Sequence, residues 1–516
     1  MTEPTVSKNT AQSFSARSLL WLLALLALGS AHLLVFTTSW DDAFISFRIA
    51  EHWSATGEMA YNPGQIQPVA TNFLWVALLA MGNKLTGLSA VILARGLGFL
   101  SGLGVLVLLF SGLRFFFSRR VAVIGTLLCA AAPLWAAWPL AGLETSWFTC
   151  LSLGGVWGVF GFWRTSRRGW LVVSGIAWAL ATLTRPEGVL WFGVTWLVVA
   201  AGQWRNWKAW GALLLAFTLG VLPGVLFQVG LFHTWLPNAF FVKVHGLANW
   251  RQGWAYVIDG VKTYRLLYAL PFVLPAVAGR TLKIQLIYLG ALLTVWCAWV
   301  VGVGGDFMPY HRFLSPAWPL VCIFLGLGLN QLESTLAQAK LPARWLPRAV
   351  TVTVTVYLGV AFLLPTYAGA HHQTVQAWAG EEHDRALVGA WLATKYLPTD
   401  VLVLKPAGII PYYSGLVAYD VYCLVDRQAA LSGQWVPQNW VGHQQVSMAR
   451  LLDLQPKLVM LDEHLYALER LPDPQGGDGA VEAAWCADTR SRDFTPTRAE
   501  VEPGRWLQYF VRRTRP

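Results

Sequence analysis

Asp41 and Asp42 stand side by side where the first long apolar stretch, roughly residues 19 to 38, gives way to polar chain. A carboxylate pair just outside a membrane span is poorly explained by folding and well suited to taking a proton from a hydroxyl. Adjacency raises the pKa of one of the two toward a useful value for a general base. The structural alternative is a helix cap with a first-turn acid, a role that needs only one Asp.

Other polar groups recur at the ends of apolar runs: Glu144 in Gly142-Leu143-Glu144, Arg185 and Glu187 in Thr184-Arg185-Pro186-Glu187, Asn238 and Lys243, and Asp306, His311 and Arg312 after Gly304-Gly305. Charge at a membrane boundary is costly unless paired or solvated in a cavity, so these groups are expected to converge on one site. Each also has a plainer role. Glu144 and Glu187 would pair with Arg185, Arg185-Pro186 would end a span, and Gly304-Gly305 would be a turn. Lys243, His245, His311 and Arg312 would face headgroups, and His371 and His372 read as solvated residues at a domain junction.

The elements that must position these residues are membrane helices. Of the 516 residues 55% are hydrophobic and only 13% charged, about half the charge of a soluble domain. Many Trp residues (Trp40, Trp163, Trp170, Trp204, Trp235) fall near the ends of apolar runs, where their rings favour the headgroup layer. The net charge of +11 lies in short connections between those runs, which argues for a lipid bilayer and against nucleic acid as the partner.

Windows of about 20 residues predict about eleven spans, centred near residues 28, 103, 129, 154, 177, 195, 220, 272, 293, 321 and 358. Alternate connections carry Arg114, Arg119 and Arg120; Arg164, Arg167 and Arg168; Arg205 and Lys208; Arg280 and Lys283; and Lys340, Arg344 and Arg348. These are cytoplasmic by the positive-inside rule, as is the N-terminus with Lys8 and Arg17, which leaves the C-terminus outside. The first span has no convincing cleavage site and is read as a retained anchor.

Residues 1–370 are thus expected to form a transmembrane domain, with a first outside loop at 39–87 carrying short surface helices and a turn at Asn62-Pro63-Gly64. From His371 charges of both signs appear. Glu381 to Leu397 reads as an amphipathic helix ending at Pro398, and Val401–Leu404, Val417–Tyr422 and Lys457–Leu461 read as strands. Residues 371–516 are therefore expected to be an extracytoplasmic α/β domain. Cys129, Cys150, Cys297 and Cys322 lie within spans as small apolar residues, while Cys423 and Cys486 fall where a disulfide is permitted and spacing leaves the pairing open.

Several strings together resemble one family. Asp41-Asp42-Ala43-Phe44-Ile45-Ser46-Phe47-Arg48, followed by Asn62-Pro63-Gly64 and Ala70-Thr71-Asn72-Phe73-Leu74-Trp75, is similar to the first outside loop of C-type (GT-C) glycosyltransferases that use polyprenyl-phosphate sugars. The likeness is to the branch containing the mycobacterial terminal arabinofuranosyltransferase. It continues through Gly142-Leu143-Glu144-Thr145, Thr184-Arg185-Pro186-Glu187-Gly188, Pro237-Asn238 to Lys243, Gly304-Gly305-Asp306 to Leu314, and Gly408 to Gly415, with Asp420 and Asp426 beyond. Departures are Tyr310-His311 where Gly-Tyr is expected, Lys405 where an acid is common, and Cys423 in place of a small residue.

The resemblance implies a GT-C-like fold and a multi-pass enzyme of the bacterial cytoplasmic membrane with an extracytoplasmic site. It would transfer a sugar, D-arabinofuranose by this branch, from a polyprenyl-phosphate donor to a hydroxyl of a cell-envelope glycan or glycoprotein. Asp41 or Asp42 would be the base, with Arg185, Lys243, His311 and Arg312 at the departing phosphate. Glu144, Glu187, Asn238, Asp306, Tyr412 and Tyr413 would orient these groups or bind sugars, and Asp306 and Glu187 leave room for a divalent cation such as Mg or Mn. The same machinery would serve mannose, 4-amino-arabinose or glucose. A lipid-sugar flippase would instead place its polar groups near mid-membrane on repeated broken helices.

Overall fold

The computed structural model describes residues 15–234, 236–243, 248–278, 283–339, 343–435, 445–467 and 479–513. Its helices begin with α1 (Ala16–Leu33), α2 (Asp41–Thr56), α3 (Phe73–Thr86), α4 (Ala90–Phe116), α5 (Arg119–Ala131) and α6 (Pro133–Ala136). They continue with α7 (Thr145–Thr165), α8 (Gly169–Thr184), α9 (Gly188–Gly202), α10 (Trp207–Phe232), α11 (Asn238–Lys243), α12 (Ala248–Thr263), α13 (Leu266–Ala278) and α14 (Lys283–Val303). A 3-10 segment at Pro309–Ala317 leads into α15 (Trp318–Gln338), followed by α16 (Leu346–Tyr367) and α17 (Ala370–Lys395).

A helix lies over each predicted span centre: α1, α4, α5, α7 to α10, and α13 to α16. Among the described residues six helical stretches are by themselves long and apolar enough to cross a membrane. The shorter ones are cut where polar residues or proline interrupt the run, as Arg185-Pro186 separates α8 from α9. In α10 only 22% of the apolar window is buried. Leu215, Leu219 and Leu226 on it are about 60% exposed, a surface that lipid tolerates and water does not.

Two helices, α2 and α3, follow α1, ended by Gly57 and Gly87 in left-handed conformation. Between them the Gln65 amide donates to the Asn62 carbonyl at 3.1 Å across a turn in which Gly64 has φ +70°, a value that favours glycine.

The C-terminal part holds β1 (Val401–Leu404), α18 (Ile409–Ser414), β2 (Val417–Asp420), α19 (Arg427–Ser432), the short pair β3 (Gln434–Trp435) and β4 (Gln445–Val446), and α20 (Met448–Asp453). It ends with β5 (Leu458–Met460), α21 (Ala480–Ala487), β6 (Phe494–Glu502) and β7 (Arg505–Arg512). The five-stranded sheet runs β2-β1-β5-β7-β6, with β1 parallel to β2 and β5, and β7 antiparallel to β5 and β6. Helix α17 starts eleven residues before the expected Glu381, because the chain re-enters a helix directly after Gly369 (φ +94°). Polar composition marks a helix's exposure better than its beginning. Cys423 and Cys486 are both free, the first buried and the second exposed.

The first loop and the sheet are locked together by residues of the loop motif. Arg48 on α2 is buried and donates to the Tyr61 carbonyl at 2.8 Å, to the Leu416 carbonyl at 2.6 Å and to the Pro411 carbonyl. It thereby satisfies carbonyls at the end of α18. Asn62 extends the sheet edge, donating to the Ala418 carbonyl at 2.9 Å and accepting from the Ala418 amide at 3.0 Å.

Candidate active site

Asp41 and Asp42 form the first turn of α2, and neither side chain caps its own helix. The Asp41 carboxylate instead accepts from the Gly408 amide at 2.9 Å and the Ile409 amide at 3.0 Å, at the start of α18. The approach is so close that a Cβ at position 408 would lie 1.9 Å from the Asp41 carbonyl oxygen, which only glycine avoids. Arg385 on α17 stands 3.6 Å from the same carboxylate. Asp42 makes no hydrogen bond or ion pair among the described residues.

Both acids face a cavity of about 450 Å³ between α2, α17 and the sheet. Its wall carries the carboxylates of Asp41, Asp42, Glu381, Asp462 and Glu463, the cations Arg385, Lys405 and His464, and the rings of Trp378, Phe307, Tyr422 and Tyr466. Arg385 pairs with Glu463 at 2.9 Å and Glu381 at 3.2 Å, and Lys405 with Glu482. His464 bonds Asp462 at 2.7 Å; this bond and a weaker one to Glu381 hold its pKa up at about 10, so the ring is a cation near neutral pH. Nothing in their spacing marks the three cations for a binding role: Lys405 is a departure from the family pattern, and Arg385 lies on the polar face of an amphipathic helix and meets Asp41 only once α17 packs against the start of α2.

Five of the expected residues meet in a second, adjoining cluster. Arg185 donates to Glu187 at 2.6 Å and Glu144 at 3.0 Å, and Arg312 donates to Asp306 at 2.6 Å. Both guanidiniums flank the Phe313 ring, at 5.3 Å and 5.1 Å from its centre. Asn72 donates to Glu144 at 2.9 Å and to Ser46 of α2 at 3.0 Å, which couples the cluster to the helix that begins with the aspartates. Phe307, next to Asp306, is on the cavity wall. The expected convergence is thus split. Asp41 and Asp42 line the cavity, whereas Glu144, Arg185, Glu187, Asp306 and Arg312 pair with one another beside it.

The remaining expected residues are dispersed. Asn238 is buried and ties α11 to the loop after β2, donating to the Leu424 carbonyl at 3.1 Å. Lys243 ends α11, but its side chain lies outside the described residues, as does the whole of His245. His311 pairs with Asp259 of α12 at 3.0 Å. Tyr412 donates to Glu51 at 2.7 Å and packs with Phe44, and Tyr413 packs against both, so neither ring is on the cavity wall. His371 is a correction: it is half-buried against His311 and Asp259 rather than solvated.

Of the carboxylates near the aspartates, Asp306 and Glu187 are each paired with an arginine, and Asp462 and Glu463 with His464 and Arg385.

Two carboxyls give the site a pH signature. Burial raises Asp41 from 3.8 to about 6, opposed by Arg385 and the Ile409 amide and reinforced by Asp42. Burial likewise raises Asp420 to about 6 against amide bonds from Leu424 and Val425. Each holds its proton more tightly folded than unfolded, so this contribution to stability is full below the unfolded value and is lost as pH rises through about 6. A rise of about two units corresponds to about 3 kcal/mol. Asp420→Asn should flatten the fall in unfolding midpoint of detergent-purified protein between about pH 4 and pH 7. A slope identical to that of the parent chain would exclude this carboxyl.

Residues 369–508 match the model of a domain of unknown function, DUF8728. No curated protein sequence matches the chain. Among solved structures it is similar to ArnT from Cupriavidus metallidurans bound to undecaprenyl phosphate, with a TM-score of 0.61 at 15% identity over 96% of this chain and 98% of that one. It is also similar to the archaeal oligosaccharyltransferase AglB from Archaeoglobus fulgidus in complex with an inhibitory peptide and a dolichol-phosphate, with a TM-score of 0.50 at 12% identity over 87% and 70% of the two chains. Arabinosyltransferase EmbB from Mycobacterium smegmatis matches with a TM-score of 0.43 at 11% identity over 92% of this chain and 48% of that one, too weakly to bear on the sugar. The chain is a polytopic helical membrane protein with the fold of the GT-C glycosyltransferases and an α/β sheet part at its C-terminal end.

Proposed function

We propose that the chain is a glycosyltransferase that moves a sugar from a polyprenyl-phosphate donor to a hydroxyl of a cell-envelope glycan or glycoprotein on the outer face of the cytoplasmic membrane. The observation that carries this is Asp42: a carboxylate with no protein partner among the described residues, on the wall of a cavity roofed by the C-terminal sheet. Such a group is free to accept the proton of an incoming hydroxyl. Asp41, held by two amides and faced by Arg385, is a positioning residue that fixes the start of α2. The lipid phosphates bound by ArnT and AglB support a lipid-linked donor.

Of the four cations expected at the phosphate, Arg185, His311 and Arg312 each face a carboxylate and the side chain of Lys243 lies outside the described residues, so the cations on the cavity wall, Arg385, Lys405 and His464, are the ones placed to meet the departing charge. The loop strings shared with the arabinofuranosyltransferase branch favour D-arabinofuranose. The surplus of carboxylates over cations on the cavity wall favours one second reading, a donor sugar bearing an amino group such as 4-amino-arabinose. Purified protein given polyprenyl-phosphate-linked arabinofuranose, 4-amino-arabinose, mannose or glucose in turn should turn over the arabinofuranosyl donor, measured as release of polyprenyl phosphate in the presence of envelope glycan. Turnover confined to the amino sugar would replace the first reading with the second, and no turnover of any would remove the activity.

A further inference from the structure

His311 stands where the resemblance led to a different residue type, and it faces Asp259 rather than the cavity beside the aspartates. Its ring is buried, 2% exposed, on the 3-10 segment Pro309–Ala317. Its Nε2 lies 3.0 Å from Asp259 Oδ2, and its Nδ1 has no partner among the described residues. From the other side His371, in the first turn of α17, brings its Nε2 to 3.7 Å from the same oxygen, and the two rings meet edge-on at 4.9 Å. Three elements distant in sequence therefore aim one ligand atom each at a common point.

We propose that Asp259, His311 and His371 form a binding site for a zinc-type divalent ion, with a fourth position open to solvent. The spacing fits. Ligands about 2.0–2.2 Å from a tetrahedral ion are separated by about 3.3–3.6 Å, and the pairs here are 3.0 Å and 3.7 Å apart with all three atoms within 4.8 Å. The chemistry fits too, since two imidazoles and one carboxylate suit zinc and not magnesium or calcium. Asp259 has no Lys or Arg within ion-pair distance among the described residues, so its charge is not already spent as those of Asp306 and Glu187 are. The Tyr310 amide donates to His371 Nδ1 at 3.3 Å, and binding through Nε2 places the ring proton on Nδ1, so the ring must draw away from that amide as it takes the ion. The other His-containing group, Asp462, Glu463 and His464, is a poorer candidate because its histidine is held cationic.

The ion would fasten α12 to the segment carrying Arg312 and to the beginning of α17, whose following turns present Trp378, Glu381 and Arg385 to the cavity. This assignment stands whether or not the chain transfers sugars. It is tested on full-length protein in detergent, purified through a tag without histidine, stripped with chelator, incubated with zinc and desalted. The parent chain should retain about one zinc and unfold at a higher temperature with it, and cobalt in its place should give the visible absorption of a tetrahedral site. Asp259→Asn and His371→Asn should lose retention, shift and absorption together. Because the Asp259 carboxylate is 60% exposed, its amide variant keeps the fold and isolates metal binding from misfolding. A parent chain that retains no zinc overturns the assignment. So do two variants that retain it like the parent, or zinc that leaves only with His464→Asn.

Discussion

Asp42→Asn should lower turnover by about 10²–10⁴-fold, the usual worth of a positioned general base, without moving the unfolding midpoint. The amide is nearly isosteric, and Asp42 has no protein partner among the described residues to lose. Asp41→Asn should behave in the opposite way. One of its oxygens becomes an NH₂ facing the Gly408 or Ile409 amide, so a hydrogen bond to α18 is exchanged for a clash of donors. The cost is about 1–3 kcal/mol of stability, with a smaller fall in turnover through displacement of its neighbour. Turnover of lipid-linked donor by both variants, set beside their thermal unfolding in detergent, separates the roles. If Asp41→Asn is the inactive, stable variant and Asp42→Asn retains activity, the base is Asp41.

The membrane helices were legible because lipid imposes a simple rule. A segment long and apolar enough to span has almost no alternative, and every predicted centre has its helix. The strands β1, β2 and β5 were legible from short apolar runs bounded by Pro, Gly and charge. Asp41 and Asp42 were legible as an oddity of position, although their division of labour was not. That depends on the amides of Gly408 and Ile409, 367 and 368 residues away. The cavity cations were hidden for the same reason, since long-range docking leaves no periodic trace. The arginines at 185 and 312 were visible, but a list of residues by membrane side does not say which charges cancel.

Arg185 carries the other large expected effect, because two readings of it make opposite predictions. As a phosphate ligand it would be dispensable for folding, and Arg185→Met would leave a stable chain with weakened donor use. The ion pairs argue otherwise. Its side chain is 11% exposed and joins Glu144 and Glu187, which are 8% and 11% exposed, on the connections before α7 and between α8 and α9. Removing the cation leaves two carboxylates buried without their partner, a defect of about 3–5 kcal/mol, and Arg185→Met should lower the unfolding midpoint sharply. Adding Glu144→Gln and Glu187→Gln removes the uncompensated charge, so the triple variant should recover most of the loss, as neutral replacements of buried ion pairs do. Recovery of fold without recovery of turnover would show that the cluster also shapes the site through Asn72 and Ser46. A stable single variant whose only defect is a raised Michaelis constant for the lipid donor would return Arg185 to the phosphate.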